Sequence, residues 1–255
     1  MMKKCEEKQL FRVLMVVSGL LMMPQIALSQ YGQGGEGFLF RAPKVSLAFS
    51  LGYSIPNAQS DIFDFVEKQL TFEKSDLHRG YIGGESAIRL VDRLDLVIGV
   101  GHAESSLPSE FRQWVGADDL PIEQETLFST TPVTVSARFY LNDRGRQVGR
   151  FAWIPKRLAP FIGGGGGIIW YKFEQVGDFV DFETLDIFFD RFVSKGMAGQ
   201  AHAFAGMDIS LNKSVFLTAE LRYSWGRGEL GRDFVDFGQM DLAGRQFTVG
   251  VGARF

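Results

Sequence analysis

The stretch that decides the fold is Phe247-Thr248-Val249-Gly250-Val251-Gly252-Ala253-Arg254-Phe255, the last nine residues of the chain. Apolar side chains occupy every second position, and threonine, glycine and arginine fill the positions between them. A period of two indicates a β-strand with one apolar face and one small or polar face. In a soluble sandwich the apolar face points into a core. In a membrane-embedded barrel it faces lipid, and the small polar face lines the interior.

The amino-terminal 29 residues have the pattern of a secretory signal peptide. Lys3 and Lys4 precede an apolar run, and Ala27-Leu28-Ser29 is a small-x-small cleavage site. A membrane anchor is the alternative, but the apolar run is interrupted and shorter than the ~20 residues that a spanning helix needs. The pattern therefore predicts a signal peptide over residues 1–29, a flexible periplasmic lead-in over 30–43 and a barrel domain over 44–255. Cys5 would be removed, so the fold is expected not to need a disulfide.

Composition fits a membrane barrel better than a helical membrane protein. The chain is rich in glycine and phenylalanine, yet its mean hydropathy is only +0.01. A membrane barrel can have a mean hydropathy near zero, because only every second residue of its strands faces lipid. No segment after residue 29 is apolar enough for a spanning helix. The net charge of −3 argues against a nucleic-acid partner.

Eight segments alternate as strands do, which predicts an all-β, eight-stranded antiparallel transmembrane barrel with long outer loops and short periplasmic turns. A soluble eight-stranded barrel such as a lipocalin is the structural alternative, but the small and charged set would make a poor soluble core. The long connections are expected at residues 55–80, 104–125, 174–197 and 226–240. The predicted strands are Val45–Ser54, Tyr81–Val91, Leu94–Ala103, Pro132–Leu141, Pro160–Phe173, Ala201–Leu211, Val215–Trp225 and a last strand ending at Phe255.

Eight ionisable residues fall on the small or polar faces of these strands, four acidic and four basic. Such groups should pair inside a narrow barrel, because an unpaired buried charge is costly. An ion pathway or a catalytic carboxylate is the functional interpretation. Structural filling by salt bridges is favoured, since the interior of an eight-stranded barrel is just wide enough for side chains. The eight residues are Glu85, Arg89, Asp95, Arg138, Asp208, Glu220, Arg222 and Arg254.

Aromatic residues near strand ends are expected to form the belts that mark the two membrane interfaces. The apolar face of the last strand comprises Phe247, Val249, Val251 and Phe255. This face resembles the C-terminal strands of bacterial outer-membrane barrels, and the resemblance implies that the barrel assembly machinery reads it. The predicted belt residues are Tyr53, Tyr81, Trp170, Tyr171, Tyr223 and Trp225.

Motifs for catalysis, cofactors and metals are weak. The glycines at 163–167 lack the spacing of a nucleotide-binding loop, and the three histidines have no metal-ligand spacing. No cofactor and no metal are therefore expected. His102 beside Ser105 or Ser106 is a local pairing without an oxyanion feature, so the chain is expected not to be an enzyme; lipid A modification is kept as a minor alternative.

The expected outer loops carry an excess of Asp and Glu. They could hold divalent cations that bridge to the phosphates of lipopolysaccharide, although solubility explains the charges equally well. The third loop, between Phe179 and Val193, is rich in phenylalanine and is expected to form a short amphipathic helix. The first loop has a similar apolar patch that includes Ile62 and Phe63, and the two patches could instead pack on each other.

Between Lys44 and Phe255 the chain resembles the small outer-membrane β-barrels of the OmpA, OmpX and OmpW group. The resemblance rests on the eight alternating strands, on Pro160-Phe161-Ile162-Gly163 at the start of a glycine-rich strand, and on Phe255. It implies a monomer in the bacterial outer membrane, surrounded by lipid and lipopolysaccharide. The expected role is structural, adhesive or in envelope integrity, with a plugged interior. The alternative is a narrow OmpW-like channel for small hydrophobic or polar solutes.

Overall fold

The computed structural model describes residues 38–116, 119–148, 152–181 and 184–255, so the expected signal peptide lies outside it. Eight antiparallel strands form the main sheet. Three short strands, one helix and two 3-10 turns complete the described fold. The main strands are β1 (Val45–Pro56), β2 (Arg79–Val91), β3 (Leu94–Val115), β4 (Pro121–Tyr140), β7 (Leu158–Val180), β8 (Ile187–Ser210), β9 (Val215–Gly228) and β11 (Gly244–Arg254); the other elements are α1 (Asp61–Gln69), β5 (Gly145–Val148), β6 (Ala152–Pro155), β10 (Met240–Asp241) and the turns Lys74–Leu77 and Arg232–Phe234.

The sheet closes on itself. Each main strand pairs with its neighbour in the chain, and β11 pairs with β1 from Ser46↔Arg254 to Pro56↔Gly244. This last pairing joins the first strand to the final one. The ring therefore has no open edge in the part of the barrel to which all eight strands contribute. The predicted eight-stranded antiparallel barrel is confirmed.

The barrel is apolar outside and polar inside. Phe247, Val249 and Val251 of the last strand are each about half exposed on the outer surface. Between them, Thr248 points inward and is 5% exposed, and the interior also buries Arg138 at 1% exposure. A soluble barrel has the opposite arrangement, with apolar side chains inside and polar side chains outside. An apolar exterior and a polar interior are suited to a barrel that is surrounded by lipid. No helix in the described part of the chain is long and apolar enough to cross a membrane.

Four strands are much longer than predicted. The segment expected as the second loop is sheet almost throughout, because β3 continues to Val115 and β4 begins at Pro121. Likewise β7 continues to Val180 and β8 begins at Ile187. The predicted helix in the third loop is therefore wrong. Its phenylalanines pack within a hairpin instead, with the rings of Phe179 and Phe192 4.6 Å apart. We call these extensions of β3, β4, β7 and β8 the outer wall, and the end of the barrel that bears them the outer end.

A lid closes the outer end of the barrel, and its centre is α1 in the first loop. Ile62, Phe63 and Val66 lie on one face of this helix and are each 1% exposed. Phe63 packs against two interior rings of the wall, with centroids 5.5 Å away at Phe128 and 5.7 Å away at Phe173. The apolar patch of the first loop thus fills the mouth of the barrel.

A small hairpin covers the opposite end. β5 pairs with β6 between β4 and β7, and Trp153 on β6 is only 4% exposed. The backbones of Trp153 and Leu39 exchange two hydrogen bonds of 2.8 and 2.9 Å. Leu39 belongs to the segment expected to be a flexible lead-in, whose residues before 38 lie outside the described structure.

Candidate functional site

The centre of the barrel interior is occupied by an ion-pair cluster. Arg138 on β4 donates to Glu85 on β2 at 2.6 Å and to Glu220 on β9 at 3.4 Å. Arg222 lies 2.7 Å from the other carboxylate oxygen of Glu220. Glycines and threonines on the same strand faces leave room for these long side chains. Because opposite charges meet across the lumen, the cluster bridges strands from opposite parts of the ring.

Aromatic rings pack around the two central guanidinium groups. The guanidinium carbon of Arg138 lies 4.4 Å from the ring centre of Phe161, and that of Arg222 lies 5.0 Å from the ring centre of Phe204. Contact with a ring face stabilises a cation electrostatically and excludes water. These rings leave little space for solvent beside the ion pairs.

A second polar group lies toward the end that bears the small hairpin. Arg144 donates to Asp95 at 2.7 Å, and the hydroxyl of Tyr140 donates to Asp208 at 2.8 Å. Arg254 reaches Ser210 at 3.1 Å. The structure places the eight charged residues in two groups along the barrel. Arg89 pairs with Asp92 of the β2–β3 turn rather than with another member of the set.

The sequence missed several interior residues. Arg144 lies in a turn between strands, so no alternation marked it as an interior residue. Tyr140 and His202 lie on interior faces but carry no formal charge. Ser136 Oγ and His202 Nε2 are 2.7 Å apart, both residues are buried, and Nδ1 of the histidine has no hydrogen-bond partner in the described structure. No carboxylate orients this histidine, so the pair lacks the third member of a catalytic triad.

His102 does not form the pair that the sequence suggested. Its Nδ1 lies 2.9 Å from Thr131 Oγ1 on the outer surface. Ser105 instead donates to the carbonyl of Phe128, and Ser106 contacts Glu125. Residues three apart on a strand point to opposite faces, which separates His102 from Ser105.

Interior rings lie against glycines of neighbouring strands. A Cβ built on Gly252 would stand 2.3 Å from the ring of Phe216, and one built on Gly206 would stand 2.5 Å from Phe161. Tyr81 covers Gly101 in the same way, at 2.0 Å. Because these glycines have no side chains, they leave the space that the aromatic rings occupy. Aromatic rings that cover glycines in this way are known to stabilise β-sheets.

Two of the predicted belt residues lie elsewhere. Tyr81 lines two interior cavities, and Tyr171 is 5% exposed beneath the lid, where its hydroxyl donates to the carbonyl of Glu229 at 2.6 Å. Strand parity explains both corrections, because each tyrosine lies on the inward set of its strand. The structure places Trp170 and Trp225 outside, about half exposed, together with Tyr53 and Tyr223.

Little empty space remains in the interior. Three cavities lie along it, of about 20, 30 and 50 Å³. The smallest is at the hairpin end, the second is beside Glu85 and Glu220, and the largest is beneath the lid. Cavities of this size hold only a few water molecules each.

Three charged side chains of the outer wall, Lys172, Glu174 and Arg191, form ion pairs with one another. Burial alone would raise the pKa of Glu174, but hydrogen bonds from Lys172 and Arg191 outweigh it and hold that pKa below its usual value. Within the described residues, no three His, Cys, Asp or Glu side chains converge as a metal site.

Comparisons with known proteins find similarity in structure only. No protein-family model matches the sequence, and no curated protein matches it. Neisserial surface protein A is 12% identical, with 83% of this chain and 96% of that one covered at a TM-score of 0.47. Ail of Yersinia pestis is 13% identical over 83% and 99% of the two chains, at 0.41. The outer membrane protein W of E. coli is 15% identical over 84% and 99%, at 0.32.

At these identities the similarity concerns the fold. The ring of eight strands, its apolar exterior and its filled polar interior are seen directly in this chain. The fold is therefore a closed eight-stranded antiparallel β-barrel whose apolar exterior suits lipid.

Proposed function

We propose that this chain is an integral protein of the bacterial outer membrane whose interior is sealed, and that it serves the envelope in a structural or adhesive role through its outer wall. The observation that carries the proposal is the closure of the lumen at three levels. The lid fills the outer mouth, the cluster around Arg138 crosses the middle, and Trp153 covers the other end. A transport path would have to displace all three.

The outer wall supports a role at the cell surface. Its four strands extend past the part of the barrel that has an apolar exterior, and charged side chains such as Lys172, Glu174 and Arg191 cover its outside. A sheet that extends beyond the lipid-facing band is suited to contact with other surfaces, because exposed loops and the elements that support them often carry recognition.

We also propose lipid and lipopolysaccharide as the surroundings of the barrel. Lys172 and Lys195 stand directly opposite each other across β7 and β8, close to the Trp170↔Met197 pair. Glu174 already pairs with Lys172, so a phosphate group would be held chiefly by Lys195. The barrel assembly machinery remains the proposed partner during insertion.

Single-channel conductance in planar bilayers tests the sealed interior. We expect no discrete steps from the full chain. Arg138→Ala should admit small ions, because it removes the bridge between Glu85 and Glu220 and leaves two carboxylates facing each other. Arg93→Ala is the matched control, since Arg93 is 45% exposed and pairs with Asp143 at the surface. Regular conductance steps from the unmodified protein would favour the alternative of a narrow OmpW-like channel and contradict this proposal.

A further inference from the structure

Arg79, the first residue of β2, is a buried cation without an anionic partner. It is 5% exposed, and its guanidinium donates to the carbonyl of Phe128 and to Thr130 Oγ1, both at 3.0 Å. Its Nε has no hydrogen-bond partner in the described structure. The carboxylate of Glu104 acts on it from the adjacent strand, but that side chain is half exposed, and no ion pair joins the two in the described part of the chain.

Arg79 lines the largest interior cavity, the one of about 50 Å³ beneath the lid. Arg222 lines it from the opposite side, and Gln200, Gln246 and Ser224 add groups that can donate hydrogen bonds. None of the residues that line this cavity is an aspartate or a glutamate. The charged part of the lining is therefore entirely positive, its polar side chains can donate hydrogen bonds, and apolar residues such as Phe128, Ile169 and Leu242 form the rest.

The other two interior cavities differ in this respect. The one at the hairpin end is lined by Asp95 and Asp208 as well as by arginines. The central one is lined by Glu85 and Glu220 together with Arg222. In both, the protein supplies its own counter-charges. A buried charge is tolerated when it is paired and hydrogen-bonded, so the cavity at Arg79 lacks what the other two contain.

We propose that this cavity is a binding site for a small inorganic anion of the size of chloride, which Arg79 holds as its missing counter-charge, with Arg222, already paired with Glu220, on the opposite side. The volume suits one such ion with a water molecule or two. The anion would supply the missing charge and accept hydrogen bonds from the amides and the serine. Because Phe128 contacts both Arg79 and Phe63 of the lid, the site also couples anion binding to closure of the outer end.

Thermal unfolding of the folded full chain in non-ionic detergent tests the site. The midpoint is measured in sodium chloride and in sodium gluconate at equal ionic strength, because gluconate is too large for the cavity. We expect a midpoint roughly 2–4 °C higher in chloride, since a ligand that binds only the folded state stabilises it. Equal midpoints in the two salts would overturn the proposal.

Two variants separate the site from general effects of salt. Arg79→Gln should abolish the difference between chloride and gluconate. Arg112→Gln removes the same charge from an exposed position on the outer wall and should leave the difference intact. A chloride effect that survives in Arg79→Gln would also overturn the proposal.

A direct measurement on the unmodified protein does not depend on whether Arg79→Gln folds. Crystals grown or soaked in bromide should show an anomalous scattering peak between the guanidinium groups of Arg79 and Arg222. The absence of such a peak in well-diffracting crystals would refute the site.

Discussion

At the scale of single residues, the interior is organised by the pairing of opposite charges and by the packing of aromatic rings against glycines. Strand parity predicts from sequence which charges point inward, since every second residue shares a face. It does not predict their partners, because Arg138 meets Glu85 and Glu220 across separations of 53 and 82 residues. Those contacts join strands that are not neighbours in the sheet, so they depend on how the whole ring closes rather than on the pattern of any one strand. The packing of rings against glycines is predictable to the same extent. The sequence shows many glycines, but the structure is needed to show which ring covers each.

The packing of rings against glycines leads to a prediction at Gly252. Gly252→Ala should lower the free energy of unfolding by about 1–3 kcal/mol, because its methyl group would overlap the ring of Phe216 and force the packed interior to shift. The measurement is urea unfolding of the protein in lipid vesicles. Gly199→Ala is the matched control, since a Cβ at Gly199 meets no atom within 4 Å. Equal unfolding midpoints for the two variants would show that the glycines are not there to accommodate the rings.

Elements were predicted well within the apolar band and poorly beyond it. Between Leu94 and Ala103 the alternation of apolar and small residues marks a strand, and the structure has one there. The same strand continues to Val115, but from Glu104 onward most of its exposed side chains are polar, and Leu107 and Phe111 face inward and pack in the lid core. The polarity of the two faces is thus reversed relative to the lipid-facing part, and serines interrupt the apolar set, so the pattern of a lipid-facing strand ends while the backbone pairing continues. In the segment between Phe179 and Val193, phenylalanine occupies the adjacent positions 188 and 189, so no period of two marks a strand there either.

The lid makes a prediction at the scale of one helix. Phe63→Ala should detach α1 from the mouth of the barrel, because truncating a buried phenylalanine costs about 3–5 kcal/mol. Limited proteolysis should then cut the segment between β1 and β2 much faster. Phe65→Ala is the control on the same helix, since Phe65 is 40% exposed and contacts only the edge of the lid at Phe237. If both variants resist the protease as the unmodified protein does, α1 does not depend on the Phe63 contact.

The whole molecule combines a closed ring with a filled interior. The ring satisfies the backbone of every barrel strand through its neighbours, from β1 round to β11. The interior then joins distant strands through ion pairs and rings, and the lid and hairpin cover the two ends. Closure could be predicted from an even number of alternating strands. The lid and hairpin could not, because each depends on apolar residues in connections that have no periodic pattern.

Closure of the ring predicts resistance to detergent. Folded protein in SDS should migrate differently before and after boiling, because a sheet without an edge has no strand from which unfolding can begin. Circular dichroism of the unboiled sample should show that its β-structure is retained. Identical migration of a sample with intact β-structure would contradict a closed barrel.

The unequal strand lengths determine how far the molecule reaches from the cell. After Ala103, β3 has no further partner on β2 within the described structure but stays paired with β4 as far as Val115, with a shift of register between Glu110 and Val115. At ~3.4 Å per residue and a tilt near 45°, this extension rises roughly 30 Å, about the thickness of the hydrocarbon layer beneath it. A projection of that height on one side of the ring alone would hold its tips above the inner sugars of the surface polysaccharide. We therefore expect these tips to be accessible to large molecules that cannot approach the bilayer surface itself.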